Sequence, residues 1–238
     1  MKLLCFPYAG GSSIKFLSWK KYLDGIEVVA VDPPGRGRRM GEPLCQTIEE
    51  MVDDVKKQVV DLVQPKEEYA VYGHSMGTLL VYELLHKLLE DGFHMPVHVF
   101  LSGKNAPYIP YKKPVSHLSE SEFIKKIVDM GGVFPNFFDY PMMRKVYLST
   151  FRTDFRAVET YHHKTEKRQP LPVDVTFFYA ISDSIIGKKS VKQWANYITG
   201  FFNLRYFSGG HFFFLGQEEK VSHTIKEILL RNDEEVPY

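Results

Sequence analysis

Short apolar runs alternate with longer amphipathic segments along the first hundred residues. Four runs with the character of buried strands, each followed by Pro, Gly or Ser, predict strands at residues 2–6, 26–32, 69–72 and 97–101. Amphipathic or apolar segments lie between them, at residues 14–23, 47–63 and 76–89, and the last two predict helices. Because strands and helices alternate, the pattern favours an α/β fold with a mainly parallel sheet and helices on both faces.

The alternation stops after the fourth strand. Residues 105–169 hold no convincing strand, and two helices are predicted there, at residues 120–130 and 142–161. We expect this segment to be a helical lid inserted over the site. Strand and helix patterns resume at residues 173–181, 192–198, 204–207 and 218–230. The prediction is therefore a single domain, residues 1–238, with a lid insertion at about residues 105–169.

The pattern G-x-S-x-G at residues 73–77 lies between a predicted strand and a predicted helix. A turn this sharp leaves no room for side chains at Gly73 and Gly77, and it forces Ser75 out above the edge of the sheet. Ser75 is therefore the candidate nucleophile of a serine hydrolase. The N–H of Met76, at the start of the following helix, faces the place where an oxyanion would form.

A loop of small residues follows the first strand, at residues 7–13. In hydrolases with a serine turn of this kind, a loop after an early strand supplies the second N–H of the oxyanion hole. We take Ala9 as that donor, with Tyr8 as the alternative. The other interpretation of the loop is a glycine-rich turn with no further role.

A serine hydroxyl needs a general base, and the base needs a carboxylate to orient it. On α/β-hydrolase sheets the acid and then the histidine follow the nucleophile along the chain. Two histidines lie after the last long predicted strand. His223 falls on the predicted solvent face of the C-terminal helix, whereas His211 lies in a Gly-Gly turn directly after a strand. We therefore predict His211 as the base.

The acid is chosen from the aspartates between the nucleophile and the base, which are Asp91, Asp129, Asp139, Asp154, Asp174 and Asp183. Asp183 directly follows the carboxyl end of the strand at residues 173–181, the edge where the nucleophile is predicted. Asp174 lies near the opposite end of that strand. Asp154 is the main rival, but it belongs to the predicted insertion. We predict Asp183 as the acid.

Composition narrows the remaining function classes. The 238 residues contain 30 Lys and Arg against 29 Asp and Glu, so a formal net charge of +1 gives no indication of nucleic-acid binding. No apolar run reaches 18 residues, and the protein is predicted to be cytoplasmic, without a membrane segment. Cys5 and Cys45 form no ligand cluster, and neither a metal nor a bound cofactor is predicted.

Three arginines lie in the loop after the second predicted strand, at the carboxyl edge of the sheet. Arg36, Arg38 and Arg39 form either an ordinary solvated charge run or a binding site for an acidic partner or a phosphate.

Five blocks of sequence are spread over nearly the whole chain. They are residues 5–11 (Cys-Phe-Pro-Tyr-Ala-Gly-Gly), 34–37 (Pro-Gly-Arg-Gly), 73–77 (Gly-His-Ser-Met-Gly), 151–157 (Phe-Arg-Thr-Asp-Phe-Arg-Ala) and 209–213 (Gly-Gly-His-Phe-Phe). With these blocks the chain resembles the type II thioesterases, the free-standing editing hydrolases of nonribosomal peptide and polyketide synthases. The resemblance implies an α/β-hydrolase fold with a helical lid, and it implies Ser75, Asp183 and His211 as a triad with Ala9 and Met76 as oxyanion donors.

The resemblance also implies a substrate and partners. Enzymes of this family cleave stray acyl groups from the phosphopantetheine arm of carrier proteins, so the expected partners are acyl or peptidyl carrier protein domains of a synthase. The protein itself is expected to be a monomer. We hypothesise that the basic residues near the mouth of the site dock an acidic carrier protein. These residues are Arg36, Arg38, Arg39, Lys112 and Lys113.

One departure from the family pattern concerns the acid, because Asp183 is followed by Ser-Ile-Ile without the proline often found there. Three alternative functions stay open. Two are a general carboxylesterase and an acyltransferase on the same triad, although no obvious arginine for a carboxylated acyl group follows the elbow. The third is a non-catalytic carrier-binding protein.

Overall fold

The computed structural model describes residues 1–111, 113–163 and 168–230. Within these ranges the centre is a six-stranded sheet in the order β2-β1-β3-β4-β5-β6, with every neighbouring pair parallel. The strands are β1 (Lys2–Phe6), β2 (Glu27–Ala30), β3 (Tyr69–His74), β4 (His98–Ser102), β5 (Val175–Ala180) and β6 (Phe202–Phe207). Parallel strands end at one edge of the sheet, so the loops that follow them lie together. The predicted parallel sheet is confirmed.

Helices follow the strands in the described ranges. The α-helices are α1 (Ile48–Leu62), α2 (Met76–Glu90), α3 (Glu120–Asp129), α4 (Pro141–Glu159), α5 (Lys188–Lys192) and α6 (Glu218–Leu230). The 3-10 helices span Ser13–Lys21, Gly37–Arg39, Phe137–Asp139 and Gln193–Tyr197. α1 begins where its sequence predicts, because the side chain of Thr47 accepts the N–H of Glu50. At the start of α3, Ser119 and Glu122 form a reciprocal capping box.

The sheet is covered on both faces, because successive side chains of a strand point to opposite sides. On β1, Leu4 and Phe6 are buried in the cluster that includes the apolar side chains of α1 and α2. Leu3 and Cys5 are buried in a second cluster, with side chains of α6 and of the 3-10 helix Ser13–Lys21. Helices therefore pack on each face, and β3, β4 and β5 are buried along their whole length.

The segment after β1 differs from a regular amphipathic α-helix. Ser13–Lys21 is a 3-10 helix, and its buried residues Ser13, Phe16 and Trp19 are three positions apart. Side chains at this spacing lie above one another in a 3-10 helix and form one buried row. The helix predicted at residues 192–198 similarly becomes the end of α5 followed by a 3-10 turn.

The described residues between β4 and β5 form no strand of the sheet. α3, the 3-10 helix Phe137–Asp139 and α4 lie there, within the predicted insertion. Their apolar side chains form a separate cluster that includes Phe123, Ile127 and Phe151. We call residues 120–159 the α3–α4 region. In the described part of the chain, no helix is long and apolar enough to cross a membrane.

Candidate active site

Ser75 occupies a strained turn between β3 and α2. Its φ of 55° and ψ of −110° lie outside the regions that L-residues favour, and such a conformation costs about 1–3 kcal/mol. A Cβ on Gly73 would lie 2.5 Å from the carbonyl oxygen of Gly77, and one on Gly77 would collide with the carbonyl of Phe6. The N–H of Ser75 donates to the carbonyl of Ser102 at 2.8 Å, which ties the turn to β4. The predicted sharp turn between strand and helix is confirmed.

The two predicted oxyanion donors follow the neighbouring strands β3 and β1. Met76 is the first residue of α2, so its N–H has no acceptor within the helix. Ala9 follows β1 and lines the same cavity as Ser75, as does Tyr8, the alternative donor. The next N–H of that loop, on Gly10, is directed to a buried carboxylate of α4 at 2.7 Å. The structure thus brings the two predicted donors to one edge of the sheet.

His211 and Asp183 come together from the ends of two adjacent strands. Asp183 follows β5, and His211 follows β6 across a turn in which Gly209 has a φ of 94°. The Nδ1–H of His211 donates to Oδ2 of Asp183 at 2.8 Å, and the other carboxylate oxygen accepts the N–H of Ile185 at 2.8 Å. His211 is 9% exposed and Asp183 is 7% exposed. His223, the other candidate base, lies exposed on α6.

Ser75 and His211 line one cavity of about 860 Å³. The α3–α4 region and the chain flanking it complete the wall, through residues that include Tyr111, Val115, Leu118, Met130, Phe155 and Val158. The hydroxyl of Ser75 forms no hydrogen bond with any residue that the structure describes. The cavity therefore places a free hydroxyl and an oriented imidazole beside a wall that includes these apolar side chains, an arrangement that suits an acyl chain.

A buried hydrogen-bonded network of Tyr72, His74 and Ser102 lies next to the turn. Nδ1 of His74 lies 2.8 Å from Oγ of Ser102, and the same hydroxyl lies 2.9 Å from the hydroxyl of Tyr72. Burial, and to a lesser extent His211, hold the pKa of His74 well below its usual value, so the His74 ring is neutral. Ser102 was not predicted as a site residue, and its one signal in the sequence is its position at the end of the predicted fourth strand.

Asp154, the rival candidate for the acid, has a different partner. It lies on α4, is fully buried, and accepts two hydrogen bonds from the guanidinium of Arg36, at 2.5 and 2.9 Å. Its carboxylate also accepts the N–H of Gly10, one residue after Ala9. Since Arg36 is 2% exposed and paired inside the protein, the docking prediction is wrong for Arg36.

The other basic residues of the docking hypothesis have varied surroundings. Arg38 is exposed. Arg39 is partly buried and forms ion pairs with two carboxylates. Lys113 is exposed on the cavity wall, and Lys112 lies outside the described residues. Docking by Arg38, Arg39 and Lys113 stays a prediction.

Lys104 is a charged residue of the cavity that the sequence did not predict. Lys104 follows the end of β4 by two residues and lines the cavity together with Ser75 and His211. Its signal in the sequence is its place at the carboxyl end of a predicted strand, the edge where ligands bind in such sheets. Among the described residues, no group of three or more His, Cys, Asp or Glu could hold a metal ion.

Known proteins share this architecture. Residues 1–229 match the Thioesterase domain family. The chain is 28% identical over 233 residues to the gramicidin S biosynthesis protein GrsT of Aneurinibacillus migulanus, with 97% of this chain and 90% of that protein covered. It is 29% identical over 219 residues to the medium-chain S-acyl fatty acid synthase thioesterase of Rattus norvegicus, with 90% and 81% covered. The crystal structure of ClbQ from the colibactin NRPS/PKS pathway has a TM-score of 0.90 and 28% identity, and the match covers 96% of each chain.

The family match runs from the first strand into the last helix, so it concerns the whole fold and not the serine turn alone. The sheet order and the helices on both faces agree with an α/β-hydrolase fold, as the sequence predicts. Because the family match covers residues 1–229 of 238, the chain belongs to the thioesterase family and is a hydrolase of thioester bonds.

Proposed function

We propose that this protein hydrolyses acyl groups from the phosphopantetheine arm of acyl or peptidyl carrier proteins, through an acyl-enzyme on Ser75. The observation that carries the proposal is the cavity that Ser75 shares with His211, whose Nδ1–H is held by Asp183 at 2.8 Å. This hydrogen bond leaves Nε2 of His211 as the nitrogen that accepts a proton. The proposed chemistry needs no cofactor of the enzyme's own, since the arm is part of the substrate.

In the first half of the reaction, Nε2 of His211 takes the proton of Ser75 as Oγ attacks the thioester carbonyl. The N–H groups of Met76 and Ala9 stabilise the negative oxygen that forms. When this intermediate collapses, the C–S bond breaks, and His211 gives its proton to the departing sulfur. The products are the free thiol of the arm and an ester on Ser75.

In the second half, water replaces the thiol. His211 takes a proton from the water as its oxygen attacks the ester carbonyl, and the same two N–H groups hold the oxyanion. The bond to Oγ then breaks, and His211 returns the proton to Ser75. The acyl group leaves as a carboxylic acid, and the carrier is free to be loaded again.

The choice of a carrier-bound thioester has two supports. GrsT is named for gramicidin S biosynthesis and ClbQ for an NRPS/PKS pathway, and both match this chain over most of their length. A thiolate also leaves easily, so selectivity is gained chiefly from the acyl cavity and from contacts with the carrier. We further infer that the enzyme acts in the cytoplasm as a monomer, with Arg38 and Lys113 among the exposed cations available to an acidic carrier.

The test compares one set of acyl groups, acetyl and longer, on a phosphopantetheinylated carrier protein, on free coenzyme A and on p-nitrophenol. We expect kcat/KM to be highest for the carrier, and Ser75→Ala to lower kcat by about 10⁶-fold because the nucleophile is lost. Ser184→Ala is the matched control, since Ser184 also lines the cavity but is exposed.

Other outcomes identify the alternatives. A preference for the oxygen esters would make the protein a carboxylesterase. Transfer of the acyl group to an acceptor other than water would make it an acyltransferase. Turnover that survives Ser75→Ala would exclude the acyl-enzyme on Ser75.

A further inference from the structure

Lys104 is anchored next to the catalytic edge of the sheet. Its neighbour Gly103 has a φ of 68°, and a Cβ there would lie 3.0 Å from Cε1 of His211. The carbonyl of Lys104 accepts the indole N–H of Trp194 at 3.1 Å. The backbone from which the Lys104 side chain extends is therefore fixed beside the imidazole that handles the proton.

The ammonium group of Lys104 is held within the cavity wall. Its Nζ lies 5.5 Å from the centre of the Tyr111 ring, a cation–π distance, and Tyr111 lines the same cavity. Within the described residues, Lys104 forms no ion pair with a carboxylate. Burial lowers the pKa of its amine to about 8, so the amine is mostly charged at neutral pH and lacks an anionic partner.

The other charged residues on this wall are more exposed to solvent than Lys104. Lys113, Lys126 and Asp129 also line the cavity, and all three are exposed. Water screens their charges more strongly than that of Lys104, which is half-buried. A half-buried cation without a carboxylate partner favours an anion that enters with the substrate, because the new ion pair offsets the lost hydration of the amine.

We propose that Lys104 forms a subsite for a carboxylate carried by the acyl group, so that the enzyme releases acyl groups that end in a carboxylate. The proposal rests on the proposed function and names a substrate class for it. Nζ of Lys104 lies against Tyr111, on the part of the wall that the chain flanking the α3–α4 region supplies, and on this ground we assign the anion to the acyl group rather than to the phosphate of the arm. The helix directly after the elbow, α2, contains no arginine for such a group, and Lys104 supplies the cation from the end of β4.

The experiment uses carrier protein loaded with two matched pairs of acyl groups. Malonyl is compared with 3-methylbutanoyl, and succinyl with 4-methylpentanoyl, since each pair has the same shape with and without the carboxylate. The quantity is the ratio of kcat/KM within a pair. We expect Lys104→Met to lower this ratio by about 10- to 100-fold in at least one pair, through loss of a charged hydrogen bond, while release of the uncharged partner is retained.

Four further measurements separate a subsite from a structural role. Lys104→Arg keeps a cation and should restore much of the ratio, and Lys104→Gln repeats the loss if the methionine variant folds poorly. Lys126→Met removes an exposed cation of the same wall and should change the ratio less than about twofold. In the wild type the ratio should fall as the pH rises through about 8, because the Lys104 amine loses its proton.

The ratio isolates Lys104 from the other titratable groups that line the cavity, which are Tyr8, Tyr111, Lys113, Lys126, Asp129 and His211. His211 acts on both members of a pair and cancels, and the Lys104→Met enzyme, which keeps all six, should show no fall near pH 8. An unchanged ratio in both pairs would overturn the subsite. An equal loss for charged and uncharged acyl groups would also overturn it. If the wild type releases none of these acyl groups from the carrier, the proposed function itself fails.

Discussion

Two buried aspartates at the carboxyl edge of the sheet differ in role because they bind different partners, a histidine in one case and an arginine in the other. Asp183 is 7% exposed and Asp154 is 0% exposed, and each accepts hydrogen bonds from a nitrogen-containing side chain. Asp183 holds His211, which takes up and releases a proton in the proposed reaction. Asp154 holds Arg36, which stays charged at every pH a protein tolerates. The Asp183–His211 pair can therefore take part in proton transfer. The Asp154–Arg36 pair, which we call the clamp, stays charged and is a structural contact.

The clamp connects three parts of the molecule that carry the site. Arg36 comes from the loop after β2, Asp154 from α4, and Gly10 from the loop that holds Ala9. Burial by itself lowers the pKa of Arg36, but the charge and hydrogen bonds of Asp154 outweigh it, so the pKa is raised. We infer that Asp154 is a positioning residue, which sets the oxyanion loop against the α3–α4 region without touching the substrate.

Replacing the acid of the first pair should have the largest effect. Asp183→Asn preserves the shape of the side chain but cannot stabilise the imidazolium or hold the required tautomer of His211. We expect kcat for acyl-carrier hydrolysis to fall by about 10⁴-fold. Steady-state kinetics and the thermal midpoint, measured together, check whether the loss occurs in a folded enzyme.

Asp154→Asn is the counterpart of that experiment. It should leave a measurable kcat in whatever fraction stays folded, because the proton path through His211 remains. A folded Asp154→Asn enzyme that loses as much kcat as Asp183→Asn would show that the two aspartates were assigned the wrong way round.

Breaking the clamp should reduce stability more than chemistry. Asp154→Leu leaves the guanidinium of Arg36 buried and unpaired, which lowers the free energy of unfolding by about 3–5 kcal/mol. Urea unfolding of wild type and variant, with the slope of the transition compared, gives this number.

The double variant Asp154→Leu/Arg36→Met tests the cause. Removing both charges should recover much of the loss, since apolar residues of similar volume tolerate such a position. If the double variant does not regain free energy of unfolding, the loss in Asp154→Leu comes from the missing hydrogen bond to Gly10 and not from the unpaired charge of Arg36.

The sequence predicts the candidate triad far better than the clamp. Ser75, Asp183 and His211 each follow a strand, and a parallel sheet brings strand ends together, so chain order and periodicity are enough to place them. The 3-10 geometry of Ser13–Lys21 was not predicted, because a buried row spaced by three also fits an α-helix loosely.

The clamp depends on a contact between distant positions, which patterns of neighbouring residues in the sequence do not predict. Arg36 and Asp154 are 118 positions apart, and in the sequence Arg36 stands among other arginines, which indicates a solvated surface. The place of Lys104 in the cavity was not predicted for a similar reason, because a single lysine after a strand is ordinarily exposed. What decides both cases is the packing of the α3–α4 region and its flanking loops on the sheet, which exists only in the fold.

Arg39 gives the smallest and most direct contrast with Arg36, because the two arginines share one loop. Arg39 pairs with Asp54 and Glu42 near the surface, where its side chain is 23% exposed. Water and salt screen such pairs, so Arg39→Gln should change the free energy of unfolding by only about 0–1 kcal/mol, against several for Arg36→Gln, which strands Asp154. Urea unfolding at low and high salt checks both variants, and only the Arg39 effect should fade with salt. Equal losses in the two variants would mean that burial does not separate the arginines, and the distinction between clamp and surface pair would have to be abandoned.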